Sequence, residues 1–152
     1  MLVMGLRASS QEVRYAILIK DENGDITFTN HNTENRLRYP ANINTIDAKL
    51  AWVKEEIDRI LRKNGQINKV SIKVNEYALT DTKAKRETSY VEGIFCLCAA
   101  EHNIPIARKI NTQLNSSSSK AKERAEILVG RTEKNWNNTM ADAILAAFWE
   151  IR

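Results

Sequence analysis

Residues 2–20 constrain the fold more than any other stretch of the chain. Leu2 to Ala8 is apolar at nearly every position until Arg7, and a short polar turn, Ser9-Ser10-Gln11, joins it to a second β-rich run that continues to Lys20. A run apolar on both sides reads as a central strand covered on both faces. The second run alternates, with Val13, Tyr15 and Ile17 on one face and Arg14, Ala16 and Leu18 on the other. A central strand needs a neighbour on each edge and a layer on each face, which already excludes a simple helical bundle. Within this frame Arg7 is the anomaly, a fixed charge at the end of a strand expected to be buried.

The rest of the chain supplies the missing neighbours. Asn23-Gly24 favours a tight hairpin turn because it tolerates positive φ angles, and a third strand follows over Ile26 to Asn30. Glu34 to Ala41 reads as a connection. The period then changes from 2 to 3.6: Ile46, Leu50, Val53, Ile57, Ile60 and Leu61 define an amphipathic helix, with Asn44 or Thr45 as its cap and Gly65 just beyond its end. Ile67 to Val74 alternates as a fourth strand. A polar loop over Asn75 to Arg86 carries Lys83, Lys85 and Arg86, and a second helix spans Glu87 to Asn103 with Gly93 in its middle. Close packing against another backbone is the expected reason for that glycine. A short fifth strand over Ile104 to Ile110 and two terminal helices, Ser118 to Val129 and Asn137 to Ile151, complete the order.

A chain of 152 residues fits one domain, with residues 1–152 forming a single unit. Its 43% hydrophobic and 28% charged residues are ordinary for a globular protein, and no stretch approaches the roughly 20 apolar residues of a membrane span. A cytoplasmic location without a membrane partner is expected. Cys96 and Cys98 point to different sides of a helix, so free thiols are expected rather than a disulfide. The net charge of +4 permits nucleic-acid binding without requiring it.

Four short segments carry a resemblance: Gly5-Leu6-Arg7-Ala8-Ser9-Ser10 on the first strand, Ile72-Lys73 on the fourth, the helix from Gly93 leading to Pro105, and Ala141-Asp142-Ala143-Ile144-Leu145-Ala146 on the last helix. In this order and on these elements they resemble the RuvC-type Holliday-junction resolvases of the ribonuclease H-like fold. That family opens with a Gly-Ile-Asp-Pro-Gly-Ser pattern, carries Ile-Glu on its fourth strand and closes with an Asp-Ala-x-x-Ala helix. The likeness implies an α/β, ribonuclease H-like mixed five-stranded sheet, with a three-strand antiparallel meander plus two parallel strands and helices on both faces.

The resemblance also implies where chemistry would sit. In the family, carboxylates hold two divalent ions that activate water and stabilise the leaving oxygen. The positions that supply them match Arg7, Lys73, Thr139 and Asp142, and only Asp142 keeps its acid. A fixed positive charge about 6 Å from a divalent cation adds repulsion of about 5 kcal/mol at an effective dielectric near 20. The expectation is therefore a catalytically degenerate protein without a cofactor, acting as a nucleic-acid-binding or regulatory module on DNA or RNA. Arg7 is expected to pair with Asp142, and Arg7, Lys73, Lys83, Lys85 and Arg86 are the candidate phosphate contacts. Two other readings stay open. One is a homodimeric or hetero-oligomeric interaction subunit using the helical face near Trp149; the other is a divergent nuclease in which Glu76 and Asp142 hold Mg or Mn.

Overall fold

The computed structural model describes residues 1–152. Six strands and four α-helices follow one another as β1 (Leu2–Ala8), β2 (Glu12–Lys20), β3 (Ile26–Phe28), β4 (Arg36–Arg38), α1 (Ile46–Lys63), β5 (Lys69–Lys73), α2 (Lys83–Glu101), β6 (Ile106–Lys109), α3 (Ala121–Leu128) and α4 (Asn138–Ile151). The sheet runs β3-β2-β1-β5-β6, with β4 also on the outer edge of β2. β1 pairs antiparallel with β2 and parallel with β5, and β5 pairs parallel with β6. The crossover helices α1 and α2 cover one face of the sheet, and α3 and α4, which follow the last strand, cover the other. The central position inferred for β1 and the mixed sheet are thus observed. None of the helices is long and apolar enough to cross a membrane.

The sheet has six strands where five were expected. Arg36–Arg38 is too short and too charged to show an alternating pattern, and only Leu37 points into the core. β3 and β4 lie end to end along β2, and Asn30 fills the gap between them. Its side-chain carbonyl accepts from Ile17 N–H at 2.7 Å and its amide donates to Tyr15 O at 3.2 Å, replacing the ladder bonds that a continuous strand would make.

Two cores divide along β1. Met4, Leu6 and Ala8 pack with Val53, Ile57, Ile60 and Leu61 of α1 and Val91, Phe95 and Cys98 of α2. Val3 faces the other way, against Ala143, Ile144 and Ala147 of α4. Gly5 shares that side, and a Cβ there would lie 1.9 Å from Ala143 O. Helix α4 therefore rests almost directly on the β1 backbone, which its alanines at 141, 143, 146 and 147 permit. Strand alternation then sends Arg7 to the same face, toward α4.

Helix starts follow capping chemistry. Thr45 Oγ1 accepts from Ala48 N–H and Thr82 Oγ1 from Lys85 N–H. The Thr82 cap corrects one boundary: Lys83, Lys85 and Arg86 form the first turn of α2 rather than a loop. A cap followed by Lys83, Ala84, Lys85 and Arg86 carries no apolar periodicity, so the start was hidden. Gly93 is a second correction. A Cβ there would meet nothing within 4 Å, so Gly5 is the close-packed glycine and Gly93 is not. The thiols of Cys96 and Cys98 are free.

Candidate functional site

Strands β1 and β5 end side by side, their register running to Leu6 opposite Ile72, so that Arg7 and Lys73 emerge together at the carboxyl end of the sheet. Ligand sites of open α/β sheets lie outside this end. Here α2 and α4 bring further polar groups to it. Arg7 Nε lies 3.5 Å from Asp142 Oδ2, and its Nη1 lies 3.7 Å from Glu92 Oε1. Nη1 also donates to Lys73 O at 3.1 Å and to Asn75 Oδ1 at 3.4 Å. The Arg7–Asp142 pair expected from the sequence is present, and Glu92 joins it.

Lys73 is 2% exposed, and its ammonium donates to Val74 O and meets Glu76 Oε1, both at 2.8 Å. Glu76 Oε1 also accepts from Asn111 N–H at 2.7 Å. A direct phosphate contact from Lys73 needs an exposed ammonium, and this one is enclosed by its own loop. Thr139 sits one turn before Asp142 at the start of α4 and makes no side-chain hydrogen bond within the protein. Lys83 and Arg86 lie away from the cluster on the first turn of α2, with side chains 90% and 66% exposed, near Glu87 and Asp81 respectively.

The three carboxylates differ because their surroundings differ. Burial pushes Glu92 above its ordinary range, and the Asn75 N–H and the Arg7 charge only partly oppose this. Burial likewise raises Asp142 despite Arg7 and Lys73. Burial alone would raise Glu76 too, but its bonds from the Lys73 ammonium and Asn111 N–H prevail and hold it below the usual glutamate value.

A divalent ion does not fit these residues. Arg7 contacts both Asp142 and Glu92, and Lys73 engages Glu76, so each carboxylate already has a cation beside it. No three Asp, Glu, His or Cys side chains converge on a common point that could hold a metal. Guanidinium and ammonium groups have no lone pair to offer a hard cation.

Glu92 was missed in the sequence, although a signal was there. The buried stripe of α2 includes Thr88, Val91, Glu92, Phe95, Cys98 and Ala99, so a carboxylate interrupts an apolar stripe at helical spacing. Arg14, the cross-strand partner of Arg7, was also missed as a buried charge. It is 0% exposed. Its guanidinium donates to Asn35 O at 3.2 Å, Asn35 Oδ1 at 2.8 Å, Asn135 O at 2.7 Å and Asn137 Oδ1 at 3.5 Å. Asn137 caps α4 by accepting from Met140 N–H and donates to the buried Glu12, which also pairs with Arg36. This second network fixes the start of the helix that carries Asp142.

No protein-family model and no curated protein matches the sequence. Among solved structures, Thermus thermophilus RuvC in complex with a Holliday junction substrate aligns with a TM-score of 0.78 at 11% identity, covering 98% of this chain and 92% of that one. The yeast mitochondrial Holliday junction resolvase aligns with a TM-score of 0.63 at 13% identity, over 98% and 77% of the two chains. The fowlpox virus resolvase in complex with substrate Holliday junction DNA gives 0.62 at 10% identity, over 99% and 97%. At such identities the likeness is one of fold, and it spans nearly the whole chain. With β1 central, parallel strands on one side, an antiparallel meander on the other and α4 laid across β1, this protein has the ribonuclease H-like fold in the form of the RuvC-type Holliday-junction resolvases.

Proposed function

We propose that this chain is a catalytically degenerate, RuvC-like nucleic-acid-binding protein. The observation that carries the reading is Arg7, held in contact with Asp142 and Glu92 at the carboxyl ends of β1 and β5. In the RuvC-type family, metal and carboxylate meet phosphate at that end of the sheet. A guanidinium in their place supplies a positive charge without the metal, and its planar fork matches the oxygens of a phosphate. Arg7 Nη2 has no hydrogen-bond partner in the protein, and the side chain is 19% exposed, so this nitrogen is the donor left for a ligand. Lys73 holds the β5 end and Glu76 in place behind it. Lys83, Lys85 and Arg86 on the first turn of α2 add phosphate contacts that position the strand.

The solved relatives bound to four-way junction DNA make branched DNA the first probe. Fluorescence anisotropy of labelled four-way junction, duplex and single-stranded DNA, without metal and over a salt series, tests the reading. Affinity that falls steeply with salt, and a shallower slope in a Lys83→Ala/Arg86→Ala double variant, supports it. Absence of binding to every probe at low salt removes it.

A protein-interaction role has one observation in its favour. On α2, Tyr90 is 50% exposed and Leu97, two turns on, is 45% exposed, which gives the helix an apolar outer strip. A divergent nuclease drawing on Glu76 and Asp142 gains no such support, since Lys73 and Arg7 already occupy those two acids.

A further inference from the structure

Beside the Arg7 cluster, between α2 and β6, lies a cleft of about 560 Å³. Its size falls within the ~300–1,000 Å³ of small-ligand sites. Gly93 forms part of its wall, in the interior of α2, where glycine destabilises a helix relative to alanine. Nothing in the packing requires a glycine there, because a Cβ would meet no atom within 4 Å. What the missing side chain does is leave the helix backbone open to the cleft, with room for a planar ring to approach it.

The other lining groups suit a base with its phosphate. Ile110 supplies an apolar wall, and Arg108, exposed on β6, has no carboxylate partner in the protein. Glu76 and Glu92 each use one carboxylate oxygen inside the protein, through Lys73 and Asn111 for Glu76 and through Asn75 for Glu92. Their second oxygens take no hydrogen bond from the chain, and the side-chain amide nitrogen of Gln113 donates to nothing. Acceptors, a donor and a free guanidinium lining one cleft match the amino-bearing edge of a nucleobase and its phosphate. A base stacked in a duplex cannot enter such a cleft; an unstacked one can.

We propose that this cleft holds a single unpaired nucleotide, the base against Gly93 and its phosphate at Arg108. The site deepens the nucleic-acid reading and rests on it, making the preferred ligand a strand with an unpaired base rather than continuous duplex. The chemistry is the same for a nucleotide in a strand and for a free nucleoside monophosphate.

The experiment compares wild type with Gly93→Leu, a change that fills the cleft and favours the helix. Its melting temperature is expected to equal or exceed that of wild type, so a loss of binding cannot be ascribed to unfolding. Labelled single-stranded oligonucleotide, a fully paired duplex of the same sequence and a nucleoside 5′-monophosphate competitor are titrated against both proteins. The proposal expects single-strand affinity to fall about tenfold in Gly93→Leu while duplex affinity holds. It also expects the monophosphate to displace the single strand from wild type. If Gly93→Leu binds the single strand as wild type does, the cleft proposal is overturned and the nucleic-acid reading survives. If the monophosphate alone binds, and Gly93→Leu abolishes it, the cleft's chemistry is upheld with a free nucleotide as its source, and the nucleic-acid reading falls. If no probe binds wild type, both fall.

Discussion

Arg7 and Arg14 face one another across β1 and β2, yet the protein treats them as different objects. Arg14 is wholly enclosed and meets chiefly neutral acceptors, the carbonyls of Asn35 and Asn135 and the side-chain oxygens of Asn35 and Asn137. The Arg7 side chain is 19% exposed, and its charge is balanced by carboxylates at 3.5 and 3.7 Å. A guanidinium saturated by fixed dipoles is structural. One balanced by ionisable partners at longer range, with one nitrogen unbonded, can exchange those partners for a ligand.

The largest effect that would test this contrast is the loss of Arg14. Arg14→Leu leaves buried acceptors of Asn35, Asn135 and Asn137 without their donor and takes a cation from beside the buried Glu12, and is expected to cost about 4 kcal/mol in urea unfolding. Arg7→Leu, whose carboxylate partners can hydrate or take up protons, should cost about 1–2 kcal/mol. Equal costs would erase the distinction.

Gly5→Ala comes next, at about 3 kcal/mol or loss of the folded state, because its Cβ would collide with the α4 backbone. A folded Gly5→Ala protein with unchanged stability would show that α4 is not seated on β1 as described.

A smaller effect sharpens the comparison through pH. Glu92 and Asp142 have folded-state pKa values raised by burial, so they bind protons more readily in the native state than in the unfolded chain. Their stabilising contribution is full below the ordinary carboxylate values and is lost as pH rises through the folded-state values. Glu76 has the opposite sign, its contribution present above the ordinary glutamate value and lost as pH falls. The stability difference between wild type and Glu92→Gln should therefore shrink as pH rises from about 4.5, which denaturation at a series of pH values would follow. A difference that grows with pH would mean that Arg7 outweighs burial at Glu92.

The smallest effect on stability is expected from Lys83→Ala, whose ammonium is 90% exposed. Its melting temperature should match wild type while the salt dependence of nucleic-acid binding becomes shallower by about one counterion.

Much of this architecture was legible because burial writes itself into the chain as periodicity. β1, β2, α1 and α4 have long enough runs to show it, and the Arg7–Asp142 pair followed from placing the resemblance on those elements. Short or polar pieces wrote nothing comparable. β4 has one core residue, and the start of α2 rests on the hydroxyl of Thr82 rather than on an apolar face. The two glycines show the limit most plainly. Gly5 in a strand and Gly93 in a helix look alike in sequence, and only the position of α4 reveals which is crowded and which is open. The partners of Glu92 and Arg14 were hidden for a related reason, lying 17 residues from Glu92 at Asn75 and 121 residues from Arg14 at Asn135.

The side chain of Asn30, spanning the gap between β3 and β4, has a consequence for how the protein behaves in a crowded solution. Sheets grow by templating, one chain adding to the free rim of another. Along β2 that rim is broken into two three-residue pieces with an amide side chain between them, and Arg36 and Arg38 form two of the three residues of the second piece. The opposite rim is only four residues long and carries Arg108 and Lys109. A foreign strand would find no uninterrupted length to zip onto and would meet like charge on either side. The molecule should therefore stay dispersed at concentrations where a flat, continuous rim would seed fibrils.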